Sequence, residues 1–161
     1  MSVLNLSSEP APEKIAADNY ELLRRTKSGA NWFYWIAGLS LVNSMIFLFG
    51  GNVRFIAGLG ITQLLDAVVD QISAGEGFTA VKVITFAVDV IIAGIFVLCG
   101  LWANKLEIWA FVVGMVLYIL DTILLLLLGA YLPAAFHAFA LLMIFKGFSA
   151  ARQLKASRTV V

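Results

Sequence analysis

Two aspartates interrupt otherwise apolar stretches of this 161-residue chain. Asp89 lies in the run AVKVITFAVDVIIAGIF, and Asp121 lies in the run FVVGMVLYILDTILLLLL. A carboxylate within so apolar a segment is costly unless it is neutralised, paired or functional. Two carboxyls that lie close together share a proton and titrate as a coupled pair. The two aspartates are therefore the first candidates for chemistry in this sequence.

Other polar side chains recur at helical spacing around these aspartates. They form the predicted polar or ion site, which comprises Asp89, Asp121, Asn43, His137, Lys82 and Tyr118. Lys82, Thr85 and Asp89 share one helical stripe, and Tyr118 precedes Asp121 by three residues. We expect the Tyr118 hydroxyl to find its partner in Asp121. Three interpretations stay open: hydrogen bonds that join helices, a bound or transported ion, or separate and unrelated roles.

The elements that must position these residues are four long apolar runs. They cover about 31–49, 80–102, 108–128 and 133–149, and each approaches the roughly 20 residues that a transmembrane helix needs. Hydrophobic residues make up 61% of the chain and charged residues only 13%, which is far from the composition of a soluble domain. The predicted fold is all-α: a polytopic membrane protein with a four-helix transmembrane bundle.

Depth along these runs places the candidate residues in one layer. At 1.5 Å per residue, Asp89 lies about 3 Å, and Asp121 and Asn43 about 4.5 Å, from the middle of their spans toward the same surface. His137 lies higher on that side. The site would then open to the outside of the membrane.

Charge and tryptophan predict the orientation. Nine Lys and Arg residues fall on one side, namely Lys14, Arg24, Arg25, Lys27, Lys105, Lys146, Arg152, Lys155 and Arg158, and only Arg54 and Lys82 fall on the other. The positive-inside rule then places both termini in the cytoplasm. Trp32, Trp35, Trp102 and Trp109 lie at the cytoplasmic ends of their spans, as in an aromatic belt. The bacterial inner membrane is the expected location.

Two further helices are predicted outside the spans. Residues 1–29 form a cytoplasmic segment with an amphipathic helix that ends at Ser28–Gly29, residues 30–150 form the membrane domain, and residues 151–161 form a basic cytoplasmic tail. Between the first two spans, about 53–73 is expected to form an interfacial helix on the outer face. Its stripe of Gln63, Asp66 and Asp70 is expected to face water, and the alternatives are an acidic lid folded over the buried layer or a membrane-entering element.

The sequence lacks cysteine pairs and known enzyme motifs. Cys99 is the only cysteine, so no intrachain disulfide or CxxC motif exists. Hydrolase, zinc-protease, phosphate-loop and dinucleotide motifs are absent. We therefore expect no enzymatic activity, no cofactor and no nucleic-acid partner. A metal site built from His137 with Asp89 and Asp121 stays open.

Two functions are compatible with this pattern. The first is a partner, scaffold or subunit of a membrane assembly that contacts the bilayer and either itself or other membrane subunits. The alternative is a small proton- or cation-linked carrier or sensor that uses a buried Asp89/Asp121 layer.

Overall fold

A computed structural model describes residues 12–49, 58–72 and 80–159, which form five helices and no strand. They are α1 (Pro12–Leu48), α2 (Gly60–Ile72), α3 (Ala80–Asn104), α4 (Ile108–Leu127) and α5 (Tyr131–Thr159). All but α2 are long and apolar enough to cross a membrane. The predicted all-α, four-helix membrane bundle is confirmed.

Helix α1 differs from the prediction because it is continuous. The expected break at Ser28–Gly29 is wrong, since α1 runs without interruption from Pro12 to Leu48. Gly29 serves packing instead: a Cβ added there would lie 2.5 Å from the Cα of Gly147 on α5. Small residues allow membrane helices to approach this closely.

The two terminal helices also pair beyond their apolar parts. Helix α5 continues past the predicted end at 149 to Thr159. Near its end, the Ser157 hydroxyl donates to Asn19 Oδ1 on α1 over 3.3 Å. An antiparallel extension of α1 and α5 therefore projects from the bundle.

Short turns join α3 to α4 and α4 to α5. Gly129 adopts a positive φ of 71°, and the amide of Ala130 donates to the carbonyl of Leu125 over 2.9 Å. This is a Schellman ending, in which glycine takes the left-handed position without steric cost. Leu106 adopts the same conformation, with φ of 66°, in the turn before α4. Both turns reverse the chain within a few residues, so the neighbouring helices are antiparallel.

Phe33 of α1 lies at the centre of the apolar core. It is fully buried, and its ring lies 6.4 Å from Phe96 and 6.1 Å from Phe111, centroid to centroid. On α4 it packs against Gly114, where an added Cβ would overlap the ring. One aromatic residue thus ties α1 to α3 and α4.

The four tryptophans define one end of the bundle, called here the tryptophan end. Trp102 at the end of α3 and Trp109 at the start of α4 lie 5.0 Å apart, centroid to centroid. Asn104 donates to the Tyr34 hydroxyl over 3.3 Å, which places the neighbouring Trp32 and Trp35 of α1 at the same level. The opposite end, beside α2, is called the α2 end.

Helix α2 is oriented differently from the prediction. Asp66 is only 2% exposed, whereas Val68 and Ile72 are 45% and 73% exposed. The expectation that Asp66 faces water is wrong; only Asp70 of the stripe is exposed, and Gln63 is partly buried. The polar face contacts the bundle, as the alternative of a lid over the buried layer requires. Residues 53–57 and 73 of the predicted interfacial helix, with Arg54 among them, lie outside the described residues.

Candidate functional site

The first turn of α2 is bound by a carboxylate from α4. The backbone amides of Gly60 and Ile61 donate to the two carboxylate oxygens of Asp121, each over 2.8 Å. The first amides of a helix have no partner within the helix, and its N-terminus carries partial positive charge. Asp121 satisfies both requirements, so it acts as a capping residue supplied by another helix.

This contact also fixes how deeply α2 enters the bundle. Asp121 precedes the end of α4 at Leu127 by six residues, which is roughly 9 Å along a helix. The first turn of α2 therefore lies inside the bundle, below its α2 end. With 13 residues, α2 is about 20 Å long, too short to cross the hydrocarbon core.

His137 on α5 is the third partner of Asp121. Its Nε2 lies 2.9 Å from Asp121 Oδ2, and its Nδ1 lies 2.9 Å from the carbonyl oxygen of Pro133. A carbonyl oxygen only accepts, so Nδ1 carries a proton and donates it. Nε2 and Asp121 Oδ2 lie within hydrogen-bond distance of each other, so this contact joins α5 to α4.

Tyr118 supports this pair through its ring. The ring stacks on the imidazole of His137 at 4.3 Å between centroids, with 17° between the planes. Its buried hydroxyl has no hydrogen-bond partner among the described residues. The expectation that this hydroxyl bonds to Asp121 is therefore wrong; the Tyr118 ring contacts the site by stacking on His137 instead.

Helix α1 contacts the start of α2 from the side opposite to Asp121. The amide of Leu59 donates to the Ser40 hydroxyl over 2.6 Å, and Gly58 packs so closely on the Asn43 side chain that a Cβ would not fit. The predicted residues Asn43, Asp121, His137 and Tyr118 thus meet around the start of α2. Three helices clamp the turn together.

Asp89 has different neighbours from Asp121. Its side chain is fully buried and faces the Ser44 hydroxyl on α1 and the Asp66 carboxyl on α2. Ser44 and Asp66 are close enough to act as hydrogen-bond partners of Asp89, but neither Asp89 oxygen has a partner with both the distance and the angle of a hydrogen bond within the described part of the chain. Asp121 is not among these neighbours, so the expected pairing of Asp89 with Asp121 is not formed. Asp66 takes the place of Asp121 as the second carboxyl beside Asp89.

Lys82 lies on the same face of α3, toward the α2 end. It is only 3% exposed, and its ammonium lies 3.6 Å from Asp70 Oδ1 on α2 and 5.0 Å from the centroid of the Phe47 ring on α1. A cation over an aromatic face and beside a carboxylate is stabilised by both. Lys82 therefore connects α1, α2 and α3 between Asp89 and the α2 end.

A metal centre is not assembled in the part of the chain that the structure describes. Groups of three or more His, Cys, Asp or Glu side chains with suitable placement do not occur there. His137 and Asp121 contact each other, but Asp89 lies with Ser44 and Asp66 instead. The proposed three-ligand site from His137, Asp89 and Asp121 is therefore not formed.

Three important residues were missed in the sequence. Gly58 and Gly60 allow the close approach of α2 to Asn43 and to Leu125, respectively, and Ser44 faces Asp89. The spacing of two glycines immediately before an amphipathic run was an available signal, since such glycines often mark close backbone contacts. Ser44 directly follows Asn43, and nothing in its spacing singles it out.

Comparison of the chain with protein-family models, with curated proteins and with solved structures finds no match in any of the three.

Proposed function

We propose that this protein is a small proton- or cation-linked carrier or sensor whose binding group is Asp89 together with Asp66 and Ser44. The observation that carries this proposal is the environment of Asp89. Its carboxyl is fully buried and both oxygens lack hydrogen bonds within the described residues. A bare carboxylate in such a place is strongly disfavoured, whereas a carboxyl that holds a proton or a cation is not.

The neighbouring groups support a site that takes up and releases its ion. Asp66 and Ser44 place further oxygen atoms beside Asp89, and oxygen atoms are the ligands that hard cations prefer. Asp66 lies on α2, which is a short element held at its first turn by hydrogen bonds. Tilting of α2 about this held first turn would bring Asp66 to or from Asp89 without moving a spanning helix.

We place the protein in the bacterial inner membrane with both termini in the cytoplasm. The distribution of Lys and Arg, nine on one side and two on the other, supports this orientation through the positive-inside rule. The site would then face the periplasmic half of the membrane. The role of a partner or scaffold stays a prediction, because the exposed apolar side chains of α3 and α4 equally suit contact with lipid.

The test compares Asp89→Asn with the matched exposed variant Asp18→Asn in full-length protein reconstituted into vesicles. Infrared difference spectroscopy would follow the carboxyl band on changes of pH and of Na⁺, K⁺ or Li⁺. A pH-sensitive dye inside the vesicles would follow proton flux under an imposed potential.

We expect the wild type and Asp18→Asn to show a carboxyl band that responds to pH or to one cation, and Asp89→Asn to fold normally and lose it. Ser44→Ala should shift the response without abolishing it. An unchanged band in Asp89→Asn, or a wild type that responds to neither pH nor cations, would overturn the proposal. Flux that disappears together with the band identifies a carrier, and a band without flux identifies a sensor.

A further inference from the structure

A polar cleft lies between α1 and α5 at the tryptophan end, far from Asp89. Its volume is about 470 Å³. The polar lining is contributed by both helices and comprises Arg24, Arg25, Ser28, Lys146, Ser149 and Gln153. The cleft adjoins the point at which Gly29 and Gly147 bring the two helices together. The helices touch at the two glycines, and the long side chains next to this contact surround the cleft.

The cleft carries excess positive charge. Glu21 accepts from both arginines, over 2.8 Å from Arg24 Nε and 2.9 Å from Arg25 Nε. One carboxylate thus offsets part of the charge of three cations, and two positive charges remain. Lys146 has neither an ion pair nor a hydrogen bond within the described residues. The arginines keep further N–H donors, since a guanidinium group has five.

The chemistry of this lining matches a phosphate group. Guanidinium and ammonium donors bind phosphate oxygens through charge-assisted hydrogen bonds, and the hydroxyls of Ser28 and Ser149 and the amide of Gln153 add neutral donors. Glu21 holds the two arginines in place on one turn of α1.

The position of the cleft indicates where the phosphate comes from. Trp32 and Trp35 follow Gly29 by about one and two turns of α1, and tryptophans favour the level of lipid headgroups. Met143 lines the side of the cleft toward the apolar part of α5, one turn before Lys146. A ligand with a phosphate headgroup and an acyl chain would match both the polar and the apolar lining.

We propose that this cleft is a binding site for the headgroup of an acidic phospholipid. Basic pockets between transmembrane helices are suited to such headgroups because lipid phosphates are already concentrated at that depth. The site is separate from the carboxyl site at Asp89 and does not depend on the function proposed for it.

The experiment uses full-length protein in nanodiscs or detergent, titrated with phosphatidylglycerol or phosphatidylcholine and analysed by native mass spectrometry. The test variant is Arg25→Gln/Lys146→Gln. The control is Lys105→Gln/Arg152→Gln, which removes the same charge at the same end from residues that do not line the cleft. Inorganic phosphate serves as a competitor in a separate arm.

We expect the wild type and the control variant to retain phosphatidylglycerol in preference to phosphatidylcholine. The test variant should bind it at least roughly tenfold more weakly, because it loses two charged donors of the cleft and a hydrogen bond to a charged group is worth roughly tenfold in affinity. Inorganic phosphate at the lipid concentration should not displace the lipid. An equal loss of phosphatidylglycerol binding in both double variants would mean that net positive charge, and not the cleft, determines binding. Displacement of the lipid by inorganic phosphate would indicate a site for free phosphate. Either result overturns the proposal.

Discussion

At the scale of single residues, Asp89 and Asp121 have the same side chain but different neighbours. Asp121 accepts from two α2 amides and faces His137. Asp89 has no hydrogen bond from the described residues. Because a buried carboxyl whose oxygens accept hydrogen bonds contributes to stability, Asp121 belongs to the architecture of α2, whereas Asp89 is the group on which the proposed function rests.

The variant Asp121→Asn should lower the free energy of unfolding by about 1–3 kcal/mol, the cost of leaving a buried hydrogen-bond donor without its acceptor. Asparagine has one acceptor oxygen in place of two, and its NH2 group would point donors at the backbone N–H of Gly60 or Ile61. Denaturant unfolding in detergent, followed by circular dichroism, measures the difference.

Asp89→Asn is the matched control for this measurement, because it makes the same substitution on a neighbouring helix where no hydrogen bond is lost. Its unfolding free energy should stay within about 1 kcal/mol of the wild type. Equal losses in the two variants would contradict the capping role of Asp121.

At the scale of elements, close helix packing depends on a few glycines. The Cβ atom of an alanine at Gly29 would lie 2.5 Å from the Gly147 backbone, and one at Gly147 would lie 2.6 Å from the Gly29 backbone. Backbone atoms cannot move aside as a flexible side chain can. The α1–α5 crossing is therefore the most sensitive helix contact to added volume.

Gly29→Ala and Gly147→Ala should each destabilise the bundle by about 1–3 kcal/mol through overpacking. Gly38→Ala and Gly94→Ala are the controls, since an added Cβ meets nothing within 4 Å at either position. Alanine favours a helix by about 1 kcal/mol over glycine, so the controls should be neutral or slightly more stable. Thermal unfolding of the four variants should show a lower unfolding temperature at Gly29 and Gly147 and an equal or higher one at Gly38 and Gly94. The same change in all four variants would contradict the role of the α1–α5 crossing.

The elements also show which parts of the fold can be predicted from sequence. The four spans follow from length and apolar composition. Pro133 predicts the start of the last span, and it lies in the first turn of α5. Helical spacing places Gln63, Asp66 and Asp70 on one stripe, but spacing does not say which way the stripe faces. Beside a polar bundle interior the apolar face turns outward, so the usual soluble-protein assignment of polar side chains to water is reversed for Asp66.

The candidate site was predictable only in part for a related reason. Depth along straight helices brings Asn43 and Asp121 to one level, and both contact the start of α2. Rotation of each helix about its own axis is set by packing, which spacing within one helix does not encode. The pairing of Asp89 with Asp66 in place of Asp121 depends on that rotation and on the position of α2.

At the scale of the whole molecule, the four candidate spans and the short α2 of the described residues constrain which side of the membrane each described turn faces. An even number of crossings returns the chain to the side on which it began. The turn at Lys105 must then share a side with both extensions of α1 and α5, while the exposed end of α2 at Asp70 must face the opposite side. The charge distribution predicts that the first side is the cytoplasm.

Single cysteines placed in a Cys99→Ala background test this arrangement, because Cys99 is the only native thiol. Asp18→Cys, Lys105→Cys and Ser157→Cys should react with a membrane-impermeant maleimide only in inverted vesicles, and Asp70→Cys only in intact spheroplasts. The parent Cys99→Ala variant sets the background. If α2 crossed the membrane, Asp18→Cys would react from one side, and Lys105→Cys and Ser157→Cys from the other. That pattern would contradict both the four-span topology and the outward-facing position of the Asp89 site, because each depends on α2 entering and leaving by the same surface.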